Sequence, residues 1–510
     1  MRRAIPPVIL GTLVALGMLV ARPAAAATPC ADLKGVGLPH TTITRADLVA
    51  AGPFTPPDGG KDAEAPMLPA HCRVAAVLRP SPDSHIQIEV WLPSDTWNGK
   101  FQAVGNGGWA GVISYVRPAG RNMAAALQEG YATASTDTGH TGGNALFAIG
   151  HPEKLIDYSH RAVHEMTVTA KALIEAFYDR GPRLSYWNGC STGGRQGLMS
   201  AQRYPEDYDA IIAGAPANYH SHLHTSDLAT AVPALTEPDS LLPPAKLAML
   251  NAAVLNACDA GDGVKDGLLA DPRTCRFDPS TLLCRGGDGA DCLTAPQLQT
   301  VQRVYAPVTT SDGALIFPGK TPGSETGWTA VSTGARAPIP VALGSFQVAY
   351  NDATWDWRTF DLDRDVRVVD ERTGFVNAID PDLRAFKARG GKLLMYHGWN
   401  DVLIVPGNSI NYYTSVLEEM GPDQSEWFRL FMAPGMGHCA GGAGPNQVDY
   451  MAAMERWREA GIAPDRLPAF RVNEGRVDMT RPLCPYPQVG VHTGVGSTND
   501  AGNFVCKAPE

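Results

Sequence analysis

Gly189-Cys190-Ser191-Thr192-Gly193 is a Gly-x-Ser-x-Gly turn and carries the strongest chemical signal in the chain. Small neighbours let a strained backbone lift the serine hydroxyl above a sheet edge, where it can attack a carbonyl carbon. The pentapeptide alone says little, because 53 of the 510 residues are glycine. Its weight comes from its flanks: residues 184–188 read as a strand and residues 196–204 as the start of a helix. A plain Gly-rich turn is the alternative.

A serine hydroxyl is a poor nucleophile at neutral pH and needs a base in hydrogen-bond reach, oriented in turn by a carboxylate. After an elbow of this kind the acid precedes the histidine in the chain. Two loops past predicted late strands fit that order, Tyr396-His397-Gly398-Trp399-Asn400-Asp401 and Ala433-Pro434-Gly435-Met436-Gly437-His438-Cys439. The expected triad is therefore Ser191, Asp401 and His438. His397 is the rival base, but it lies upstream of Asp401 and reads as a structural loop histidine; Asp401 itself has the bland alternative of a turn or cap residue. Acyl transfer also needs donors aimed at the developing oxyanion. The amide of Thr192 is one candidate, and Gly108, with Gly107 close behind, is the second, from the loop Val104-Gly105-Asn106-Gly107-Gly108-Trp109.

Cys190 precedes the serine and Cys439 follows the histidine, so a disulfide between them would tie nucleophile to base; two separate thiols are the alternative. The ten cysteines make an even set, which in an exported chain reads as disulfides. Proximity suggests Cys258 with Cys275, Cys284 with Cys292 and Cys484 with Cys506, and leaves Cys30, Cys72, Cys190 and Cys439 for longer links. Zinc is the competing use, but no two cysteines have Cys-x-x-Cys spacing, and the pairs His160/His164 and His220/His224 have no cysteine nearby in sequence.

In Cys258-Asp259-Ala260-Gly261-Asp262-Gly263-Val264-Lys265-Asp266-Gly267-Leu268, Asp259, Asp262 and Asp266 offer hard oxygen ligands, and the carbonyls of Val264 and Leu268 could complete a calcium shell. The closing Glu of an EF-hand is missing; an acidic turn without metal is the alternative.

Positioning these residues takes a sheet flanked by helices. Residues 87–92, 99–104 and 131–135 are short β-rich runs, and residues 161–179 carry an apolar stripe at helical spacing through Val163, Met166, Leu173, Ile174 and Phe177. Residues 210–213 give another strand. Such alternation predicts an α/β protein with a parallel sheet, of the α/β-hydrolase type. From 217 to 385 the sequence turns rich in Pro, Asp and Gly and loses the alternation, which predicts a large inserted lid domain holding the calcium loop. The alternation resumes at 392–396, 409–420 and 428–432, so residues 28–216 and 386–510 form the catalytic domain.

Arg2 and Arg3, the apolar run 8–21 and the small residues after Arg22-Pro23 read as a signal peptide over residues 1–27, too short to span a bilayer. The expected location is secreted or periplasmic, with no membrane association after cleavage. With 42 Lys+Arg against 52 Asp+Glu and a formal net charge of -10, the chain has no basic stripe for nucleic acid.

With these residues in view the chain resembles the tannase and feruloyl esterase family over nearly all of its mature length. The match rests on Cys190-Ser191, Asp401 and His438-Cys439, on the elbow through Gly197, on Ala162-Val163-His164-Glu165-Met166-Thr167, on residues 352–360 with Trp355-Asp356-Trp357, and on the 259–268 loop. The resemblance implies a Cys190–Cys439 disulfide, a Cys30–Cys72 bridge beside the three local pairs, and a structural calcium held by Asp259, Asp262, Val264, Asp266 and Leu268. It implies a small aromatic ester as substrate, free or attached to plant polysaccharide or polyphenol. The expected activity is feruloyl esterase-like hydrolysis, with tannase and terephthalate-monoester hydrolysis as the nearest alternatives. A peptidase shares the triad but lacks any sign of an amine-binding site or appended propeller. A non-catalytic binder of phenolics is the reading from a different class.

Overall fold

A computed structural model describes Met1 and residues 27–57, 65–116, 121–330 and 337–508. The predicted signal peptide falls almost wholly outside the described residues.

The centre is a nine-stranded sheet. In chain order its strands are β1 (Thr41–Val49), β2 (His71–Leu78), β3 (Ile86–Pro93), β4 (Lys100–Val104), β5 (Ala132–Thr136), β6 (Leu184–Cys190), β7 (Ala210–Gly214), β8 (Lys392–Gly398) and β9 (Phe428–Ala433). They lie in the order β1-β2-β3-β5-β4-β6-β7-β8-β9. From β5 to β9 all neighbours are parallel, as the βα alternation predicts. The expected parallel sheet needs one correction: β1, β2 and β3 join antiparallel, and β3 is antiparallel to β5. The link from Leu78 to Ile86 is too short for a crossover helix, so β2 and β3 can only close as a hairpin.

Strands in the middle of the sheet are buried on both faces, which is why they read as apolar runs rather than as an alternation. Successive residues still point to opposite sides. Trp187, Ile211, Leu393 and Met395 meet the helices Ala162–Tyr178 (α1), Thr192–Arg203 (α2) and Gly407–Met420, while Tyr186, Ile212, Leu394 and Tyr396 meet Tyr450–Ala460 through Met454 and Trp457. The result is a three-layer α/β-hydrolase arrangement whose strand ends gather the functional loops at one edge.

Between β7 and β8 the chain leaves the sheet. It forms mainly helices, among them α3 (His220–Thr236), Pro244–Cys258, Ala295–Tyr305, Pro340–Tyr350 and Leu362–Thr373. These carry apolar clusters of their own, one around Leu250, Val301 and Trp328 and another around Leu228, Phe346 and Val369. Trp355 stacks on Phe346 with ring centroids 5.0 Å apart, and Trp357 is buried in the same cluster. All ten cysteines are paired, as Cys30–Cys72, Cys190–Cys439, Cys258–Cys275, Cys284–Cys292 and Cys484–Cys506. Among the described residues no helix is long and apolar enough to cross a membrane.

Candidate active site

β6 runs straight into α2 through one residue. Ser191 sits there with φ 64° and ψ −125°, backbone angles that a residue with a side chain rarely adopts. Its N–H donates to Gly214 O at 2.9 Å, and its carbonyl accepts the Ala217 N–H at 3.1 Å. Glycines make the turn possible: a Cβ on Gly189 would lie 2.5 Å from Gly193 O, and one on Gly194 would lie 2.5 Å from Gly214 O. The helix therefore starts at Thr192, not at the predicted residue 196. Gly193 and Gly194 are poor helix formers that read as loop, yet close packing demands them in the first turn.

Asp401 lies just past β8 and is fully buried. His438 lies past β9, with its side chain 21% exposed. His438 Nδ1 is 2.7 Å from Asp401 Oδ2. A carboxylate can only accept, so Nδ1 carries the proton and Nε2 keeps a free lone pair. Burial by itself would push the Asp401 carboxyl up. The charge of His438, hydrogen bonds from His397 and His438 and the charge of His397 outweigh it and hold the group well below the usual carboxylate range. Oδ1 accepts the amides of Leu403 at 2.9 Å and Ile404 at 3.0 Å.

The disulfide between Cys190 and Cys439 holds their Cα atoms 6.0 Å apart and so brings the residue before the serine against the residue after the histidine. Cys439, like Ser191, has positive φ, 64°. The structure thus brings Ser191, Asp401 and His438 to one edge of the sheet. His397, the rival base, is buried with both ring nitrogens engaged, Nδ1 with Ser409 Oγ at 2.7 Å and Nε2 with Ile404 O at 2.8 Å and Asp401 Oδ2 at 3.1 Å.

The loop after β4 is strapped to the elbow. Gly193 N–H donates to Asn106 O at 2.8 Å, and the Gln196 side-chain amide exchanges two hydrogen bonds with Asn106, at 3.0 and 3.2 Å. Gly108 has φ 57°, and its carbonyl accepts the hydroxyls of Thr192 at 2.6 Å and Tyr158 at 3.1 Å. Thr192 is the first residue of α2, where amides have no acceptor within the helix. Gln196 and Tyr158 are site residues that sequence reasoning missed. Tyr158 sits in a π-helical turn, Asp157–Arg161, directly before α1, a feature that marks functional positions.

Ser191, Thr192, Gly107, Gly108 and His438 open onto a cavity of about 480 Å³, in the range that encloses a small ligand. Its remaining wall includes His220, Leu223, His224 and Asp227 of α3 and Arg121, none of which the sequence pointed to as substrate contacts. Trp355, Asp356 and Trp357 do not line it.

The acidic loop lies elsewhere. Asp259 Oδ1 accepts the amides of Asp266 and Gly267, Asp262 accepts those of Val264 and Ala270, and Asp266 accepts that of Leu268 and pairs with Arg481. Among the described residues no three His, Cys, Asp or Glu side chains converge as a metal cluster. A calcium shell here would draw on the Val264 and Leu268 carbonyls as well, and the all-oxygen donor set fits that hard cation. Leu268 packs against Gly435, so the loop abuts the base of the segment that bears His438.

A family model described as "Tannase and feruloyl esterase" matches residues 72–507. An uncharacterized esterase of Xanthomonas campestris is 40% identical, over 98% of this chain and 94% of its own length. A probable feruloyl esterase B of Aspergillus clavatus is 34% identical over 97% of this chain and 98% of its own. The crystal structure of feruloyl esterase B from Aspergillus oryzae superposes with a TM-score of 0.86 at 30% identity, covering 94% of this chain and 99% of that one.

Proposed function

The chain belongs to the tannase and feruloyl esterase family and is a carboxylic ester hydrolase, and from that premise we propose that it cleaves esters of hydroxycinnamic acids through an acyl-serine intermediate. Ser191 Oγ attacks the ester carbonyl while His438 Nε2 takes its proton. Asp401 keeps the His438 ring in the required tautomer and stabilises the imidazolium that forms. The amides of Thr192 and Gly108 donate to the oxyanion. Collapse breaks the bond to the alcohol oxygen, which leaves with the proton from His438, and a water then repeats the sequence in reverse to free the acid.

The observation that carries this reading is the covalent tie between the residues flanking the elbow serine and the Asp401-bound histidine, in one ligand-sized cavity. Residues 28–216 and 386–510 serve as the catalytic unit in this reading, and residues 217–385, which supply α3 and part of the cavity wall, as its lid. Calcium, held by Asp259, Asp262, Val264, Asp266 and Leu268, would brace the lid against the segment after β9. Export is supported by the signal-like sequence pattern of residues 1–27 and by complete cysteine pairing.

Turnover of methyl ferulate, methyl gallate and a terephthalate monoester by the purified mature protein, beside Ser191→Ala, tests the proposal. It expects ferulate to be preferred and the mutant to be inert. Preference for gallate or terephthalate would move the substrate assignment within the same chemistry, and stoichiometric binding without turnover would replace the esterase by a phenolic-binding protein.

A further inference from the structure

The wall of the cavity is chemically uneven. Leu223, Ile339, Val341, Leu403 and Ile404 contribute apolar lining, whereas His220, His224 and Asp227 bring polar atoms to the same space. The three polar residues recur at i, i+4 and i+7 of α3 and so lie along one stripe of the helix. Each is only 3% exposed.

Burying a carboxylate and two imidazoles is costly unless each polar atom finds a partner, and the protein supplies partners incompletely. His224 Nδ1 stands 3.4 Å from Asp227 Oδ2, at the long limit of a hydrogen bond, and His220 Nε2 is also 3.4 Å from the Tyr158 hydroxyl. Among the described residues nothing bonds His224 Nε2 or Asp227 Oδ1, although both side chains line the cavity. Buried Lys320 lies near enough to Asp227 and Asp401 to interact electrostatically with both, while its burial disfavours the charged ammonium.

These features select the group the site would take. A ligand carboxylate would face Asp227 with like charge. A hydroxyl can donate to the free carboxylate oxygen and accept from an imidazole N–H at once. The apolar residues of the same wall can pack against a ring. We propose that His224 and Asp227 recognise a hydroxyl group on the aromatic ring of the acyl moiety and so determine specificity. The inference rests on the esterase reading above.

The test compares kcat/KM for methyl cinnamate, its 3- and 4-hydroxy derivatives and the corresponding methoxy derivatives, using the full mature protein and the variants Asp227→Asn and His224→Phe. The wild type should favour one hydroxylated ring over both the unsubstituted and the methoxylated ring by about tenfold or more, because a site built for a hydroxyl leaves its own polar groups unpaired when that hydroxyl is missing. In each variant the ratio should collapse toward one, with thermal melting confirming a folded protein. Equal wild-type turnover of hydroxylated and unsubstituted esters would overturn the proposal while leaving the esterase intact, as would variants that keep the wild-type ratio. Absence of turnover on every ester would overturn the esterase reading and this inference with it. The wild-type comparison stands even where a variant fails to fold.

Discussion

One oxygen of Asp401 serves two histidines: Oδ2 lies 2.7 Å from His438 Nδ1 and 3.1 Å from His397 Nε2. His397 also reaches the Ile404 carbonyl, so its Nε2 must carry a proton, and its Nδ1 is held by Ser409 Oγ at 2.7 Å. His397 is thereby spent on holding the carboxylate in place, and only His438 has a nitrogen free to serve as base. His438→Ala should lower kcat by about a thousandfold or more, whereas His397→Gln should cost about tenfold and show mainly as lost stability. Steady-state kinetics beside thermal melting checks the division; equal losses of kcat would reject it.

The same network makes stability depend on pH in a predictable direction. The folded carboxyl of Asp401 is held below its unfolded range, so its contribution is fully present above the unfolded value near about 4 and is lost only as pH falls toward the lower folded value. The difference in melting temperature between wild type and Asp401→Asn should be constant from about pH 7 to about pH 5 and narrow below about pH 4. A gap that widens on acidification would contradict the assignment.

The Cys190–Cys439 bridge spans 249 residues of sequence and joins the residue before Ser191 to the residue after His438. Replacing both cysteines by alanine should cost about 2–5 kcal/mol of stability. It should also lower kcat by about a hundredfold at temperatures where the variant is still folded, because Ser191 and His438 lose their mutual register. Loss of stability with unchanged kcat would make the bridge purely structural.

Two hydroxyls clamp the Gly108 carbonyl, from Thr192 at 2.6 Å and Tyr158 at 3.1 Å. Thr192→Val and Tyr158→Phe leave every backbone amide in place but release the Gly108–Trp109 peptide, whose anchored carbonyl steadies the loop that carries the Gly108 N–H. Each should lower kcat by about tenfold with little change in KM, the signature of an interaction that matters in the transition state. A change confined to KM would argue that the clamp shapes the pocket instead.

A calcium ion bound to the 259–268 loop would stabilise the folded state by mass action. Chelation should lower the melting temperature by several degrees, and Asp262→Asn should abolish the calcium dependence. A melting curve unaffected by chelator and by added calcium would leave the loop as an acidic turn braced by the Asp266–Arg481 ion pair.

Much of this protein is written locally in its sequence. The elbow, the order Ser191, Asp401, His438, and the strands from Lys100 to Ala433 follow from short-range patterns, because glycine placement, apolar runs and helical periodicity act over a few residues. β1 was not legible: Thr44-Arg45-Ala46-Asp47 alternates weakly and carries charges that suit a sheet edge, and it is a strand only because β2 pairs with it. The start of α2 was misplaced because Gly193 and Gly194 answer to neighbours at Asn106 and Gly214 that no local window contains.

What only the tertiary structure decided is which distant side chains meet. Tyr158 reaches Gly108 across 50 residues, Gln196 reaches Asn106 across 90, and α3 turns His224 and Asp227 into the cavity that Ser191 opens onto. Spacing within the chain determines which chemistry is available. The direction a side chain faces, and what it faces, is set by packing between segments far apart in sequence, whose free energy is a property of the assembled layers rather than of any one segment.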